Sequence, residues 1–229
     1  MNRGEDLSMP PADGAASVAR PAGKGHDFHC YDPAVGHGLR HNPMQAIIAP
    51  RPIGWISSAS AAGVNNLAPY SFFNMFRATP PLIGFSSGGR KDSLRNAEET
   101  GRFVWNLATR SLATAMNLSS AVVPHEVDEF ALAGLTPMPS SFGSPPCVAE
   151  APVSFDCVLT QIVDLRDRHG QPSGSHLVIG EAVHVRIART LIADGVYDTL
   201  ASDPILRGGG TADYFHLTPD GHFRMERPD

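Results

Sequence analysis

Two short stretches of this chain carry residue types suited to holding a ligand. The first is Ala68-Pro69-Tyr70-Ser71-Phe72-Phe73-Asn74, with three aromatic rings in four residues and Ser71 and Asn74 beside them. Rings next to a hydroxyl and an amide suit a flat, partly polar ligand, whose body packs while the polar groups orient it. The same composition also serves a loop that plugs a core. The second is Ser86-Ser87-Gly88-Gly89-Arg90-Lys91-Asp92-Ser93. Here an apolar run gives way to a Ser/Gly turn, two cations follow, and a helix begins. Free N–H groups at a helix start, among hydroxyls and cations, favour an anion such as phosphate. Ser86, Arg90, Lys91 and Ser93 are the candidate anion ligands; the alternative is a surface turn with solvated charges.

The elements that must position these stretches are mainly strands. Pro50 and Pro52 exclude a helix ahead of the apolar run at 53–59, and Gly54 lets another backbone come close. A turn is expected at 62–66. Pro69 cannot donate to a ladder, so 68–74 is expected as a loop. Residues 82–86 read as a buried strand. The following helix, capped by Asp92 or Ser93, stops at Gly101. Another strand covers 102–107, and Leu112, Ala115 and Met116 share a core-facing helical stripe. His125-Glu126-Val127-Asp128-Glu129 lacks the second His of a zinc-protease motif and reads as a polar helix face. Residues 133–152 read as a long Pro/Gly/Ser loop. Val153, Phe155, Cys157 and Leu159 alternate with Ser154, Asp156 and Thr160; Val183, Val185 and Ile187 alternate with His184 and Arg186. Those periods predict two half-buried strands joined as a long antiparallel hairpin. Arg207 and Tyr214 flank a final Gly-rich turn. Many strands, few helices and no βαβ alternation give a mainly β chain, an antiparallel barrel with short peripheral helices.

Composition excludes several functions. The chain has 229 residues and a formal charge of −5 with no basic run, which argues against nucleic acid. No apolar stretch reaches membrane-spanning length. Residues 1–25 are expected as a disordered leader without a signal peptide's apolar segment, and 26–229 as one domain. Cys30, Cys147 and Cys157 are an odd, widely spaced set, which points to a reducing, cytoplasmic setting. His26, His29, Cys30, His37 and His41 cluster without a zinc-binding spacing, so no metal is expected.

One rival motif remains. Gly84-Phe85-Ser86-Ser87-Gly88 satisfies the G-x-S-x-G nucleophile elbow of serine hydrolases. That motif needs a helix directly behind the serine, a parallel sheet and an oxyanion-hole stretch. Gly88-Gly89 delays the helix, and neither of the others is visible.

Five segments, in order, resemble the flavin reductase-like family with an FMN-binding split barrel. They are Pro50-Arg51-Pro52-Ile53-Gly54-Trp55-Ile56-Ser57-Ser58, Asn66 through Asn74, Lys91-Asp92-Ser93-x-x-Asn96, Phe103-Val104-x-Asn106-Leu107 and Arg207-x-Gly209-x4-Tyr214. The resemblance implies a six-stranded Greek-key split barrel and a homodimer with one FMN per subunit near the interface. It places Ser57, Ser58, Ser71, Phe72 and Asn74 along the flavin ring. Ser86, Arg90, Lys91 and Ser93 fall at the phosphate; the family commonly has Thr where this chain has Ser93, which keeps the hydroxyl. It further implies hydride transfer from NAD(P)H to FMN, a step that needs no side-chain acid or base, so no catalytic residue is assigned. Electrons would pass on to a partner oxygenase or another acceptor. An FMN electron carrier without nicotinamide activity and a serine hydrolase stay open beside this reading.

Overall fold

The computed structural model describes residues 27–228, which fall into two compact units meeting in sequence at Pro43–Met44. The expected leader and His26 lie outside the described residues. The described part of the first unit, 27–43, has no regular strand or helix. In it the His29 ring nitrogen Nε2 lies 2.7 Å from the His37 carbonyl, and Tyr31 packs against both imidazoles.

The second unit begins with a single helical turn, α1 (Met44–Ile47), and a two-residue strand, β1 (Arg51–Pro52). Four strands follow: β2 (Gly54–Ala59), β3 (Asn65–Tyr70), β4 (Phe73–Ala78) and β5 (Pro81–Gly88). Then come α2 (Asp92–Thr100), β6 (Arg102–Asn106), α3 (Ala113–Leu118) and α4 (Glu129–Ala133). The hairpin β7 (Pro137–Ser140) and β8 (Gly143–Val148) precedes the long strands β9 (Val153–Arg166) and β10 (Pro172–Ile187). Short strands β11 (Ile192–Ala193), β12 (Val196–Tyr197), β13 (Ile205–Arg207) and β14 (Tyr214–His216) complete the unit.

The main sheet is antiparallel and runs β3-β2-β6-β9-β10-β5-β4. Its outer strands, β3 and β4, are linked in the chain by Ser71-Phe72 but are not paired with each other, so the sheet curls without closing. A second small sheet, β1-β13-β14, ties the start of the unit to its end.

The mainly β architecture with short helices matches expectation, and so does the β9–β10 hairpin. The sheet has seven strands, one more than the six implied. A second difference turns on Pro69. Residues 68–74 are not a loop: Ala68–Tyr70 close β3, Phe73 and Asn74 open β4, and only two residues turn between them. Pro69 is tolerated because β3 is an edge strand with no ladder on its outer side. Asn65 and Asn66 likewise belong to β3, and the tight turn lies at 60–63, closed by the Gly63 N–H on the Ser60 carbonyl. Residues 133–152 are not a long loop: they hold the β7–β8 hairpin, tightly turned at 140–143, whose Pro137, Pro139, Pro145 and Pro146 gave it the composition of a loop.

β2 is the central brace. All six of its residues are buried, with Trp55 and Ile56 entering different hydrophobic clusters, as the period of two demands. One cluster gathers Trp55, Leu67, Met116, Phe130 and Val148 beneath α3 and α4. The other gathers Ile56, Phe85, Leu94, Phe103, Cys157 and Val178 between α2 and the sheet. Full burial of each large apolar side chain contributes about 1.5–3 kcal/mol. Cys157 is a buried hydrophobe as expected, and burial pushes its thiol pKa up. At Gly54 a side chain, and not the expected backbone, comes close: a Cβ there would stand 2.7 Å from the Phe73 ring.

Candidate functional site

A cleft of about 400 Å³ opens where β3, β5 and the start of α2 converge. Pro69, Tyr70, Ser71 and Phe72 form its aromatic wall. Ser86, Gly88, Lys91, Asp92 and Ser93 form a second wall. Residues 119–123, Asn66, Ala68 and Glu129 complete the lining.

The second wall keeps the features of an anion site. Lys91 stands at the cap position of α2 with extended backbone, and no side chain caps the helix. This corrects the expected caps. Asp92 pairs instead with Arg95, while Ser93 is buried and accepts a hydrogen bond from Asn66 Nδ2 at 2.9 Å. The uncapped start leaves N–H groups of the first turn for a ligand. At the other end Gly101 stops the helix in the left-handed region (φ 70°), as expected.

Five of the nine residues expected at the site line the cleft: Ser71, Phe72, Ser86, Lys91 and Ser93. The other four do not. Ser57 is fully buried, and its hydroxyl donates to the Pro146 carbonyl at 2.6 Å. Ser58 is equally buried; its Oγ accepts from Asn66 Nδ2 at 3.0 Å and from Asn96 Nδ2 at 3.1 Å. These two hydroxyls serve the scaffold. Asn66 and Asn96, one on β3 and one on α2, meet at Ser58, which fixes Ser93 against the sheet. Asn74 lies exposed on β4, with its side-chain oxygen accepting from the Met75 N–H. Arg90 is half exposed and paired with Glu98 further along α2. The type of each of these residues was legible; the direction of its side chain was not.

Two functional candidates escaped the sequence reading. Glu129 does not sit on a polar helix face: residues 125–128 precede α4, and Glu129 is its buried first residue, lining the cleft. Its Oε2 accepts from the Leu67 N–H at 3.0 Å. Burial pushes its pKa up, the Leu67 N–H opposes, and the charges of Asp92 and Asp128 add to the rise. The second is Arg51. Its guanidinium is buried and donates to four carbonyls: Gln45, Ile48, Ser71 at 3.1 Å and Gly208 at 3.0 Å. It also lies 5.5 Å from the centre of the Phe72 ring. A cation between two prolines looks solvent-facing in sequence; its only signal was that Arg51 stood within the first resembling segment.

The geometry disfavours the hydrolase motif. Ser86 lies within β5, with its N–H donating to the Phe72 carbonyl at 2.8 Å, and not on a sharp strand-to-helix turn. Among the described residues, no histidine lines the cleft to act as its base.

The sequence profile of the "Flavin reductase like domain" matches residues 46–201. A protein of Halalkalibacterium halodurans is 39% identical over 168 residues, covering 71% of this chain and 80% of that one. The fold superimposes on nitrilotriacetate monooxygenase component B from Bacillus cereus with a TM-score of 0.78 at 32% identity, covering 88% of this chain and all of that one. A split-barrel protein from Shewanella frigidimarina, at 23% identity and a TM-score of 0.72 over 81% of this chain and 90% of that one, shares the fold. The profile spans most of the chain, the fold is the split barrel and the cleft lies within the matched residues: the chain belongs to the flavin reductase like domain family, flavin-linked oxidoreductases.

Proposed function

We propose that this chain binds FMN in the cleft and works as a flavin reductase with NAD(P)H as co-substrate. The observation that carries the reading is the cleft's two-part lining, aromatic at Pro69, Tyr70 and Phe72, and anion-binding at Ser86, Lys91, Ser93 and the uncapped start of α2. FMN has the same two parts, a flat ring and a phosphate. Bound FMN supplies the redox chemistry, taking hydride from NAD(P)H and passing electrons onward. The protein's own residues do the rest. Phe72 and Pro69 give the ring an apolar wall, and the Ser71 hydroxyl orients its polar edge. Lys91, Ser86 and Ser93 hold the phosphate, at about 1.5–3 kcal/mol per charge-assisted bond. Ser57 and Ser58 act through the scaffold. Asn74 and Arg90 fall outside the cleft lining and contribute little to binding.

The family supports two further parts of the proposal. A partner oxygenase receives the reduced flavin, by analogy with the monooxygenase component from Bacillus cereus. The working unit is a homodimer; exposed apolar side chains on β4 (Met75, Phe76) and β10 (Val183, Val185) favour a covering partner copy. A reducing, cytoplasmic setting suits the three free thiols. No helix among the described residues is long and apolar enough to cross a membrane.

The test is a paired titration of the purified protein with FMN and riboflavin, followed by anaerobic addition of NADH or NADPH. FMN should bind at least tenfold more tightly than riboflavin, and its visible band should bleach with one of the nicotinamides. Tight FMN binding without bleaching would make the chain an electron carrier. Equal affinity for both flavins would remove the phosphate assignment.

A further inference from the structure

Among the described residues, Arg51 is a buried cation with no acid to neutralise it. Among the described residues every hydrogen bond from its guanidinium ends on a backbone carbonyl, and no carboxylate pairs with it. Carbonyls satisfy its N–H groups but leave its net charge in place. Across the β1–β13 pairing stands another cation, Arg207; burial first, and then the charge of Arg207, lowers the Arg51 pKa. Arg207 also spends its donors on carbonyls, those of Gly210, Thr211 and Asp213, and lies 4.9 Å from the centre of the Tyr214 ring. Burying a charge without a counter-charge is expensive, and two adjacent cations make it more so.

The position of this charge suggests its use. Arg51 lies directly behind the aromatic wall, holding the Ser71 carbonyl and flanking the Phe72 ring, while Ser71 and Phe72 face the cleft. It also ties that turn to the α1 region and to Gly208, so the wall is fixed from two other segments. A fixed cation behind a binding wall favours whichever ligand state carries more negative charge on the other side. Two-electron reduction of a flavin with uptake of one proton leaves its ring one negative charge richer, and NAD(P)H supplies those electrons.

We propose that Arg51, reinforced by Arg207, is a positioning residue that holds the Ser71-Phe72 wall and, through its uncompensated charge, makes the site prefer reduced over oxidised FMN. This rests on the flavin reading of the cleft. Two effects follow and are separable. The hydrogen-bond fork sets the shape of the wall and therefore the affinity for both redox states. The charge sets the ratio between them.

The test compares wild type, Arg51→Lys, Arg51→Met and Arg207→Gln. Two quantities are read: the dissociation constant of oxidised FMN, and the midpoint potential of bound FMN from an anaerobic dye-coupled titration. Arg51→Lys keeps the charge but loses the fork, so affinity should fall while the potential stays at the wild-type value. Arg51→Met should lose affinity and also lower the reduced-to-oxidised preference about tenfold, a potential about 30 mV more negative for a two-electron couple. Arg207→Gln, which leaves the Arg51 fork in place, should move the potential in the same direction by less, and it carries the test if Arg51→Met does not fold. Variants that weaken oxidised and reduced FMN by the same factor, or an unmoved potential in Arg207→Gln, overturn the proposal while the flavin reading stands. A wild-type protein that binds no FMN overturns both.

Discussion

At the aromatic end of the cleft, positive charge is buried and locked: Arg51 sits behind Ser71 and Phe72, anchored on four carbonyls. At the anion end it stands in solvent: Lys91 is exposed at the start of α2, and Arg90 beside it is half exposed and paired with Glu98. The two ends face different tasks. A phosphate arrives charged and hydrated, so its cations can stay mobile and wet and still attract it. On the proposed reading a flavin ring gains its negative charge only on reduction, so a cation that is to act on it must be fixed and dry, where electrostatic effects are strong. The difference predicts that damage at the aromatic end spreads to the fold and to every flavin, whereas damage at the anion end stays local and depends on the phosphate.

The strongest break in that comparison is Gly54→Ala. The new Cβ would lie 2.7 Å from the Phe73 ring, which stacks at 4° on Trp105 with centroids 5.8 Å apart. Phe73 must move and take the neighbouring Phe72 with it. The expected loss is about 1–3 kcal/mol of stability, with FMN and riboflavin weakened alike. Lys91→Ala should leave the melting temperature unchanged and weaken FMN by about tenfold, one charge-assisted bond of roughly 1.5 kcal/mol, with riboflavin unaffected. Urea melts and paired flavin titrations on both variants check the contrast; a riboflavin loss in Lys91→Ala equal to the FMN loss would erase it.

The elements that were legible in sequence are those whose reasons are local. The strand runs of β9 and β10 and the stop of α2 at Gly101 each follow from a residue and its near neighbours, although the expected alternation fails in detail: Val183 and Val185 are exposed and Ser154 and Asp156 are buried. What escaped depends on where an element lies in the sheet. Pro69 forbids a central strand but not an edge one, and edge position is a property of the whole topology. Arg51 is surrounded by carbonyls from residues 45, 48, 71 and 208, so nothing adjacent in sequence foretells its burial. Ser57, Ser58 and Asn74 have ligand-binding chemistry but face the scaffold or solvent, and a shift of one residue along a strand exchanges those outcomes.

Glu129 sharpens the comparison from within the cleft, because it is a buried acid sharing a lining with Lys91 and Ser93. Burial raises its pKa in the folded protein above the ordinary value of 4.5. A carboxyl with a raised folded pKa favours the fold fully only while protonated. That contribution is present below the unfolded value and is lost as pH rises through the folded one. Glu129→Gln keeps an acceptor for the Leu67 N–H without the charge. Its stability should therefore gain on wild type from pH 4 to pH 8. FMN affinity should follow the same trend, since an ionised Glu129 repels a phosphate, while riboflavin affinity should not. A constant stability difference between the two proteins across that range would show that Glu129 does not titrate there.

The smallest expected effect belongs to Arg90→Ala, and it tests whether cations at the anion end act by contact or by number. Arg90 and Lys91 are adjacent, and sequence alone gives them the same role. Their surroundings differ. Lys91 lines the cleft, while Arg90 points along α2 to Glu98, with both side chains about half exposed at 51% and 48%. An exposed pair of this kind contributes between 0 and about 1 kcal/mol to stability, and salt screens it. Removing Arg90 takes one exposed positive charge from the anion end and leaves Glu98, near the far end of α2, without its partner. Both effects are small, so FMN affinity should fall less than threefold, roughly 0.5 kcal/mol by the energetics of exposed pairs, and the loss should vanish at high salt. Lys91→Ala, measured alongside, should keep most of its tenfold loss in the same salt, because direct contact with the phosphate is screened far less. Equal losses in the two variants, with equal salt dependence, would mean that the anion end works through diffuse charge, and Lys91 would lose its place as a ligand.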